Sequence, residues 1–375
     1  MGHANRWVAG ALALVALAGP PRLTASSAVL MDWQTGRILF AKEAFRVRPP
    51  ASLTKVLTAL LTLEYGRLGD AVEISSRAAR VPGSTLRVRP GDLVTLEELL
   101  QAILLSSAND AAVAAAEHLA GSVEEFARLM NRRARDLGAT SSRFANPHGL
   151  TQPGHYSTAY DLALLARHAL NDPYFARLVA MGESEVEELE GDWERHLRNT
   201  NRLLWRYPGA DGVKTGTTAA AGRCLIASAT RDEHRLLVVL LNARDRYGDA
   251  ARLLDWGFET FTLLVMAQSG AAIATLPVAG GERDRVHLTV DRDLWAVVPR
   301  GDPEPPQVIL WLPERARAPV QAGEALGRAQ VLHGGEVVDE ARLVATNRIA
   351  GRSLLGAGWG VVLPLIWFFA RLGVG

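Results

Sequence analysis

A serine and a lysine three positions apart are the first candidates for chemistry in this chain. Ser52 and Lys55 lie at the start of an apolar run that ends at Tyr65. Residues three apart share one face of a helix, so the Lys55 amine can approach the Ser52 hydroxyl. An amine accepts a proton only when neutral, and a nearby cation lowers its pKa by disfavouring the charged form. The spacing therefore predicts a serine nucleophile with a lysine as its base.

A second serine segment follows farther along the chain. Ser107-Ala108-Asn109 comes directly after the apolar run Leu99–Leu105 and before an alanine-rich stretch, so we expect it to form a loop between two helices. A hydroxyl in such a loop can relay a proton to a leaving amine. The Asn109 amide can hold a substrate carbonyl. Both roles suit the cleavage of an amide.

A third segment supplies a cation and a strand edge. Lys214-Thr215-Gly216 is followed by Thr217, and a β-rich run begins a few residues later. If Lys214 folds beside Ser52, its charge lowers the pKa of Lys55. Backbone N–H groups of a strand edge can bind an antiparallel peptide and stabilise an oxyanion. Each segment alone is common, but the three in this order together predict a serine nucleophile that cleaves an amide.

Metal and thiol chemistry are not expected. His148 and His155 lie seven apart in a loop without a His-Glu-x-x-His segment, so we interpret both as structural. Cys224 is the only cysteine, which excludes an intramolecular disulfide and a thiol metal cluster. Its apolar neighbours indicate a buried thiol. The sequence therefore predicts no cofactor and no bound metal.

The elements that must position these residues can be predicted from apolar spacing and capping signals. The run Leu53–Tyr65 is apolar on every side, which indicates a buried central helix beginning at Ser52. The pairs Thr95 with Glu98 and Ser122 with Glu125 have the spacing of a reciprocal helix cap. The stretches 111–120, 157–170 and 249–261 have helical character.

Strand signals lie on both sides of this helical block. The runs 28–33 and 37–41 flank a Gln-Thr-Gly turn and predict a hairpin, and 223–230 and 235–243 are β-rich. Beyond residue 267, short alternating runs between glycine and proline clusters predict a small all-β domain over 268–349. We therefore expect an α+β catalytic domain over 26–265, followed by this smaller domain.

Charge and the chain ends indicate where the protein works. Across 375 residues, 41 Lys plus Arg balance 40 Asp plus Glu, which gives no basis for a nucleic-acid partner. Arg6 precedes the apolar run 7–18, and small residues at Ala16, Ala18 and Ala25 offer cleavage points, so residues 1–25 are interpreted as a signal peptide. The uncharged segment 353–370 is long enough to attach the chain to a membrane, either across the bilayer or in its interface. These features predict an exported protein, in a bacterial periplasm or on the outer face of the cytoplasmic membrane.

The three segments and their surroundings resemble a known family. The chain is similar to low-molecular-mass penicillin-binding proteins of the D-alanyl-D-alanine carboxypeptidase type, peptidase family S11, from Ser27 to Phe261. Beyond Gln268 only the pattern of short strand-like runs resembles the second domain of the family. The stretches that carry the resemblance are 49–55, 107–111, 144–150, 155–161 and 211–216.

This resemblance implies a fold and a division of roles. The fold is a five-stranded antiparallel sheet flanked by helices, as in β-lactamases and transpeptidases. Ser52 would be acylated, Lys55 would be its base, Ser107 and Lys214 would relay protons, and Asn109 would bind substrate. Further substrate contacts would come from Thr215, Gly216, Thr217 and Arg244, with the backbone N–H groups of Ser52 and Thr217 as the oxyanion hole.

The implied substrate is a peptidoglycan stem peptide ending in D-Ala-D-Ala, and β-lactam antibiotics would acylate the same serine. The sequence departs from some relatives in two places: Asn199-Thr200-Asn201 lacks the arginine that some relatives use near there, and Thr217 replaces the histidine that others carry.

Two alternatives remain open at this point. A β-lactamase of the same fold needs a glutamate-activated water, and the nearest match, around Leu189, has Val186 and Glu190 at the positions of the expected Glu and Asn. A catalytically silent peptidoglycan-binding protein would not require Ser52, Lys55 and Lys214 all to be present.

Overall fold

The computed structural model describes residues 19–191 and 193–352. Contacts divide the chain into one unit that runs up to Leu264 and includes Trp295–Pro306, and a second unit of Val265–Leu294 and the residues from Gln307 onward. The sequence analysis placed a single boundary near residue 267. The structure departs from it because the chain returns to the first unit, where the Arg300 N–H donates to the Thr260 carbonyl at 2.8 Å.

Eight α-helices lie in the described part of the first unit, with two 3-10 turns at Ala51–Thr54 and Arg202–Trp205. The helices are α1 (Lys55–Tyr65), α2 (Ser76–Ala79), α3 (Leu96–Leu104), α4 (Asn109–Ala120), α5 (Val123–Asp136), α6 (Ala159–Ala169), α7 (Pro173–Ala180) and α8 (Arg246–Thr260).

The strands fall into one large sheet per unit and three small pairs. Those before residue 260 are β1 (Ser27–Asp32), β2 (Ile38–Lys42), β3 (Ala71–Glu73), β4 (Leu93–Thr95), β5 (Glu183–Glu187), β6 (Glu194–Arg198), β7 (Ala210–Thr218), β8 (Gly222–Arg231) and β9 (His234–Leu241). The later strands are β10 (Phe261–Ala267), β11 (Ala274–Ala279), β12 (Arg285–Val290), β13 (Leu294–Pro299), β14 (Gln307–Trp311), β15 (Ala316–Arg317), β16 (Ala325–His333) and β17 (Glu336–Ala345).

The large sheet of the first unit has the order β2-β1-β9-β8-β7, and every neighbouring pair is antiparallel. This confirms the five-stranded sheet. Alternate residues of β9 face opposite cores: Leu237 and Val239 pack with the helical block, while Leu236 and Val238 pack with α8. A strand buried on both faces is apolar throughout, which explains why β9 lacks period-two alternation. At the end of this sheet, β7 has a neighbour on one side only.

Local capping signals determine where the helices around the sheet begin. Thr95 and Glu98 form the reciprocal cap predicted for α3. At α5 only half of the predicted cap is present, since Ser122 accepts from the Glu125 N–H while the Glu125 carboxylate pairs with Arg128. The prediction of a reciprocal cap there was wrong, because an arginine one turn away attracts the carboxylate more strongly than a backbone N–H.

The described residues of the second unit are all-β, as predicted. Its six-stranded sheet has the order β14-β16-β17-β12-β11-β15 and is antiparallel except where β11 pairs with β15. Its core comprises alternate residues of the strands, such as Leu288, Val290, Val331 and Leu343, all fully buried.

Both predicted end segments extend outside the described residues. The described part of the predicted signal peptide, residues 19–25, includes Thr24 and Ala25, whose backbone N–H groups donate to the buried Asp249 carboxylate at 3.0 and 2.8 Å. The predicted anchor, 353–370, lies wholly outside the described residues. Within 19–191 and 193–352, no helix has the length and hydropathy needed to cross a membrane.

Candidate active site

The start of the central helix brings the proposed nucleophile and base together. Ala51–Thr54 is a 3-10 turn that continues into α1. Residues i and i+3 eclipse in such a turn. The Lys55 Nζ lies 3.2 Å from the Ser52 Oγ. Ala51, directly before the serine, has a φ of 50°, a conformation that costs energy in a residue with a side chain and that clusters at functional sites.

Lys55 is fully buried and has two further partners. Its amine donates to the Asn109 Oδ1 at 2.6 Å and to the His148 carbonyl at 2.9 Å. Burial, and next the charge of Lys214, lower the pKa of Lys55 well below its ordinary value, although Asp110 opposes this. A neutral amine has two N–H groups, and these two acceptors can hold both. Its lone pair is then left for the Ser52 hydroxyl, which is the geometry that a general base needs.

Asn109 begins α4 and positions the base. Its Oδ1 accepts from Lys55, while its Nδ2 donates to the Pro82 carbonyl at 2.6 Å. Because the Pro82 carbonyl can only accept, the atom that faces it must be the Asn109 Nδ2, which leaves Oδ1 to accept from Lys55. The sequence analysis gave Asn109 a role in substrate binding alone. The structure adds the positioning of Lys55, and one N–H of the amide is left for a substrate carbonyl.

Ser107 lies in the predicted loop between α3 and α4. It is 7% exposed, with a φ of 65° in the left-handed region. Its hydroxyl makes no hydrogen bond within the described part of the chain. A strained backbone here holds a hydroxyl two residues from Asn109, whose Oδ1 accepts from the Lys55 amine.

Strand β7 passes close to the helix start, and Gly216 explains how. A Cβ at Gly216 would lie 3.0 Å from the Ser52 backbone nitrogen and 3.1 Å from the Ala51 Cβ. These contacts are tighter than ordinary carbon packing. Glycine therefore lets an outer strand approach the proposed nucleophile, and Thr217 is the next residue of that strand. The Ser52 N–H lies in the first helical turn, where it has no partner inside the helix.

Lys214 brings a second amine to the site. The side chain is 1% exposed, and its Nζ donates to the Thr215 carbonyl at 3.3 Å. Burial, and to a lesser degree the charge of Arg246, lower the pKa of Lys214 to about 7. The chain has only three lysines, and two of them lie here. Lysine can lose its proton near neutral pH, whereas arginine cannot.

The arginine beside β7 is Arg246 and not the expected Arg244. The Arg246 Nη1 donates to the Gly216 carbonyl and to the Thr217 Oγ1, both at 3.1 Å. Arg244 is exposed, and its carbonyl accepts from Arg223. The resemblance implied Arg244, and the sequence analysis began this helix at residue 249. Asp245 caps α8 instead, and the cap places Arg246 in the first turn.

Two features of the site were missed at the sequence level. Thr200 contacts the third segment, with its Oγ1 2.7 Å from the Thr215 Oγ1. The loop of His148 supplies a carbonyl to Lys55, and a Cβ at Gly149 would lie 1.9 Å from the Ala51 carbonyl oxygen. Backbone contacts of this kind leave only a weak signal in sequence, here the Pro-His-Gly-Leu run.

The two histidines of that loop have structural partners. His155 contacts the Thr54 hydroxyl through Nε2 and accepts from the Ala145 N–H through Nδ1. His148 accepts from the Leu150 N–H. Burial lowers the pKa of His155 to about 4 and is the main reason that the pKa of His148 falls to about 3. Both rings are therefore neutral at physiological pH. The single thiol, Cys224, is buried as predicted.

A serine paired with a buried lysine at a helix start, beside an outer strand that carries a second buried lysine, defines a serine acyl-enzyme of the penicillin-binding-protein fold. Family profiles agree with this class. The profile described as D-alanyl-D-alanine carboxypeptidase matches residues 15–245, and the one described as penicillin-binding protein 5, C-terminal domain, matches 258–350. The chain belongs to the D-alanyl-D-alanine carboxypeptidase family.

Curated relatives support the same family over most of the chain. D-alanyl-D-alanine carboxypeptidase DacF of Bacillus subtilis is 35% identical over 330 residues, which are 86% of this chain and 85% of the relative. DacC of Escherichia coli is 32% identical over 367 residues, 93% of this chain and 90% of the relative. The membership favours a carboxypeptidase over the β-lactamase and the silent binding protein.

Solved structures share the fold. Penicillin-binding protein 5 of Haemophilus influenzae superposes with a TM-score of 0.74 at 30% identity, covering 89% of this chain and 99% of that one. A peptidoglycan synthesis regulatory factor of Streptococcus pneumoniae gives a TM-score of 0.72 at 27% identity, covering 88% of this chain and all 100% of the other.

Proposed function

We propose that this protein is a serine D-alanyl-D-alanine carboxypeptidase that removes the terminal D-Ala from peptidoglycan stem peptides through an acyl-enzyme on Ser52. The observation that carries the proposal is the environment of Lys55. Its amine has a lowered pKa, two fixed acceptors and the Ser52 hydroxyl at 3.2 Å. A base held in this way can remove the proton from an otherwise weak nucleophile.

Acylation follows from the positions of the groups. The Ser52 oxygen attacks the carbonyl carbon of the penultimate D-Ala, and its proton passes to Lys55. The N–H groups of Ser52 and Thr217 stabilise the negative oxygen, an effect of roughly 3 kcal/mol per donor. The C–N bond then breaks, and the proton taken up by Lys55 is relayed through Ser107 and Lys214 to the amine of free D-Ala, which leaves Lys55 neutral again. Water attacks the ester in the second half, with Lys55 again as base, and releases Ser52.

The terminal carboxylate of the substrate is proposed to lie against Thr215 and Arg246. Thr215 is 5% exposed, and its hydroxyl faces that of Thr200. The Arg246 guanidinium donates to the carbonyl of Gly216, the residue that follows Thr215 on β7. This arginine supplies the cation that the sequence analysis assigned to Arg244. A carboxylate held here places the amide one residue upstream, at Ser52.

Replacing Arg246 with glutamine is expected to move the alkaline limb of the pH profile of kcat/KM to higher pH. Arg246 is the second cause, after burial, of the low pKa of Lys214. The proposed relay needs protonated Lys214, so the rate falls as pH rises through this pKa. Removing a repelling cation raises the pKa of Lys214, so protonation persists to higher pH. The weaker carboxylate contact lowers the whole curve without moving its midpoint. An alkaline midpoint that stays at the wild-type pH would contradict this coupling.

Penicillin is proposed to acylate the same serine, because its strained amide and carboxylate match the groups that the site binds. The direct test is incubation with diacetyl-Lys-D-Ala-D-Ala while free D-alanine is measured, with and without penicillin. The proposal predicts D-alanine release that penicillin abolishes. Absence of release from this peptide and from isolated stem pentapeptides would refute it.

We further propose that the protein works outside the cytoplasmic membrane, after removal of a signal peptide, and is attached by the segment 353–370. Asp249 binds the backbone of Thr24 and Ala25. Cleavage after Ala25 would remove both residues and with them these contacts. We therefore favour cleavage directly after Ala18, where Ala16 and Ala18 are the small residues that precede the cut.

Deletion of residues 353–375 is expected to move the enzyme from the membrane fraction to the soluble fraction with its activity retained. Ultracentrifugation of cell extracts, followed by penicillin labelling of both fractions, measures this. Continued sedimentation of the truncated chain with membranes would contradict the proposed attachment.

A further inference from the structure

The peptide bond that joins Ala51 to Ser52 is anchored by a chain of buried side chains. The Ala51 carbonyl oxygen accepts from the Thr54 hydroxyl at 2.9 Å. The Thr54 Oγ1 in turn lies 2.9 Å from the His155 Nε2. Ala51, Thr54 and His155 are 1%, 0% and 6% exposed. A histidine 101 positions away along the chain is therefore linked to the backbone directly before the proposed nucleophile.

The hydrogen bonds of this chain run in one direction. The Ala145 N–H donates to the His155 Nδ1 at 3.0 Å, so that nitrogen carries no proton. Because burial lowers the pKa of His155 to about 4, the ring is neutral and its one proton lies on Nε2. Nε2 therefore donates to the Thr54 hydroxyl. The Ala51 carbonyl can only accept, so the hydroxyl directs its own proton to that oxygen.

The chain ends on the peptide group that carries a proposed oxyanion donor. The bond between Ala51 and Ser52 is trans, so the Ala51 carbonyl and the Ser52 N–H lie in one plane and point in opposite directions. A hydrogen bond that fixes the carbonyl therefore also fixes the direction of the N–H. Ala51 has a φ of 50°, and a residue with a side chain keeps such a conformation only where its surroundings hold it.

The loop that carries His155 covers the same peptide group. A Cβ at Gly149 would lie 1.9 Å from the Ala51 oxygen and 2.9 Å from the Thr54 Oγ1. This loop also supplies, from residue 148, the carbonyl that accepts from the Lys55 amine. Residues 145–155 therefore hold both the proposed base and the backbone of the proposed nucleophile.

We infer that His155 is a positioning residue for acyl transfer, which acts through Thr54 to hold the Ser52 N–H toward the oxygen that becomes negative. The inference rests on the proposed function, because it needs the oxyanion hole that acylation and deacylation of Ser52 use. His155 exchanges no proton with the substrate. Since the negative oxygen develops only as the serine ester forms and breaks, the effect belongs to kcat and not to substrate binding.

Two substitutions of His155 separate the donor from the packing of the ring. The glutamine amide nitrogen lies as many bonds from Cβ as the histidine Nε2, so His155→Gln keeps a donor for Thr54. The asparagine amide oxygen lies as many bonds from Cβ as Nδ1, so His155→Asn keeps the acceptor for the Ala145 N–H and loses the donor. Thr54→Val removes the hydroxyl and keeps the branched shape of the side chain.

The variants are compared by the release of D-Ala from diacetyl-Lys-D-Ala-D-Ala. His155→Asn and Thr54→Val should each lose about 30-fold or more in kcat with KM within about threefold of wild type, since removal of one oxyanion donor costs about 10²–10³ in kcat. His155→Gln should restore most of the wild-type kcat. The double variant Thr54→Val with His155→Asn should lose no more than either single variant, because both substitutions break one chain.

The matched control is a second buried histidine of the same unit. His234 is 6% exposed, as His155 is, and its Nε2 lies 3.0 Å from the Asp32 Oδ2. Its described contacts do not include the Ala51 peptide, Thr54 or the loop 145–155. His234→Asn should therefore lower the melting temperature and keep the wild-type kcat.

The outcomes distinguish this inference from the proposed function. A wild-type kcat in His155→Asn overturns the inference. Equal losses in His155→Gln and His155→Asn also overturn it, because the effect would then come from the packing of the ring. An equal loss in His234→Asn, or additive losses in the double variant, would likewise overturn it. Wild-type enzyme that releases no D-Ala from this peptide or from stem pentapeptides would instead refute the proposed function, and the inference with it.

Discussion

Ser52→Ala is expected to lose carboxypeptidase activity by at least about 10⁴-fold and to gain no mass from penicillin, since single losses from a catalytic unit reach this size. Alanine has no oxygen to attack the carbonyl or to carry the acyl group. The fold should be unaffected, because the Ser52 side chain has one described partner, the Lys55 amine. Intact-mass spectrometry after incubation with penicillin measures labelling, and D-alanine release measures turnover.

The matched control for Ser52 is Ser106→Ala. Ser106 is a half-buried serine whose hydroxyl donates to the Ala102 carbonyl, next to the loop of Ser107. It should be labelled at the wild-type rate. Labelling of Ser52→Ala to the same extent as wild type would show that another residue is the nucleophile.

Lys214→Ala is expected to slow acylation by penicillin by about 10³-fold, within the range that one proton-transfer group supplies. The substitution removes both the charge that lowers the pKa of Lys55 and the proposed proton relay. Stopped-flow or quench measurement of the acylation rate detects the change. Lys42→Ala is the control, because Lys42 lies outside the site and donates to the Leu23 and Ala25 carbonyls. Acylation of Lys214→Ala at the wild-type rate would remove Lys214 from the mechanism.

The pH dependence of stability tests the lowered pKa of Lys214 independently of catalysis, by comparison of wild type with the same Lys214→Ala variant. The folded-state pKa of Lys214, about 7, lies below the ordinary 10.5. Between these values the unfolded chain binds more protons than the folded one, so this lysine destabilises the fold most below pH 7. The penalty is lost as pH rises toward 10.5. The stability of wild type relative to Lys214→Ala should therefore increase over that range, as thermal unfolding can show. A constant difference would contradict a lysine that is buried and partly neutral.

The approach of Lys55 to Ser52 was predictable because it is local. A spacing of three residues within one helical turn brings the two side chains together, whatever the rest of the fold does. The same holds for the Thr95 cap of α3 and the hairpin of β1 and β2, both set by neighbours within a few positions. The order of the three short segments can be read directly from the sequence, so the chemistry could be predicted from it.

Long-range packing decided the rest of the site. Lys214 lies 159 positions from Lys55 along the chain, and only the five-stranded sheet, with Gly216 pressed against the helix start, brings its charge to the base. The Asn109 amide was visible in the sequence, but its attachment to Lys55 and to the Pro82 carbonyl depends on loops that fold against it.

Arg246 shows most clearly what could not be decided from the sequence. Two arginines two residues apart are equivalent in the sequence, and which one faces β7 depends on the residue that caps α8. The arginines that line a cavity beside Thr200, such as Arg198 on β6 and Arg223 on β8, likewise lie on separate elements. The sequence by itself determined the proximity of a serine and a lysine and predicted a nucleophile, its base and a reaction class, because these depend on single turns and short segments. Tertiary structure alone decided which cations surround them, because charges on distant segments act together only after the strands and helices have packed.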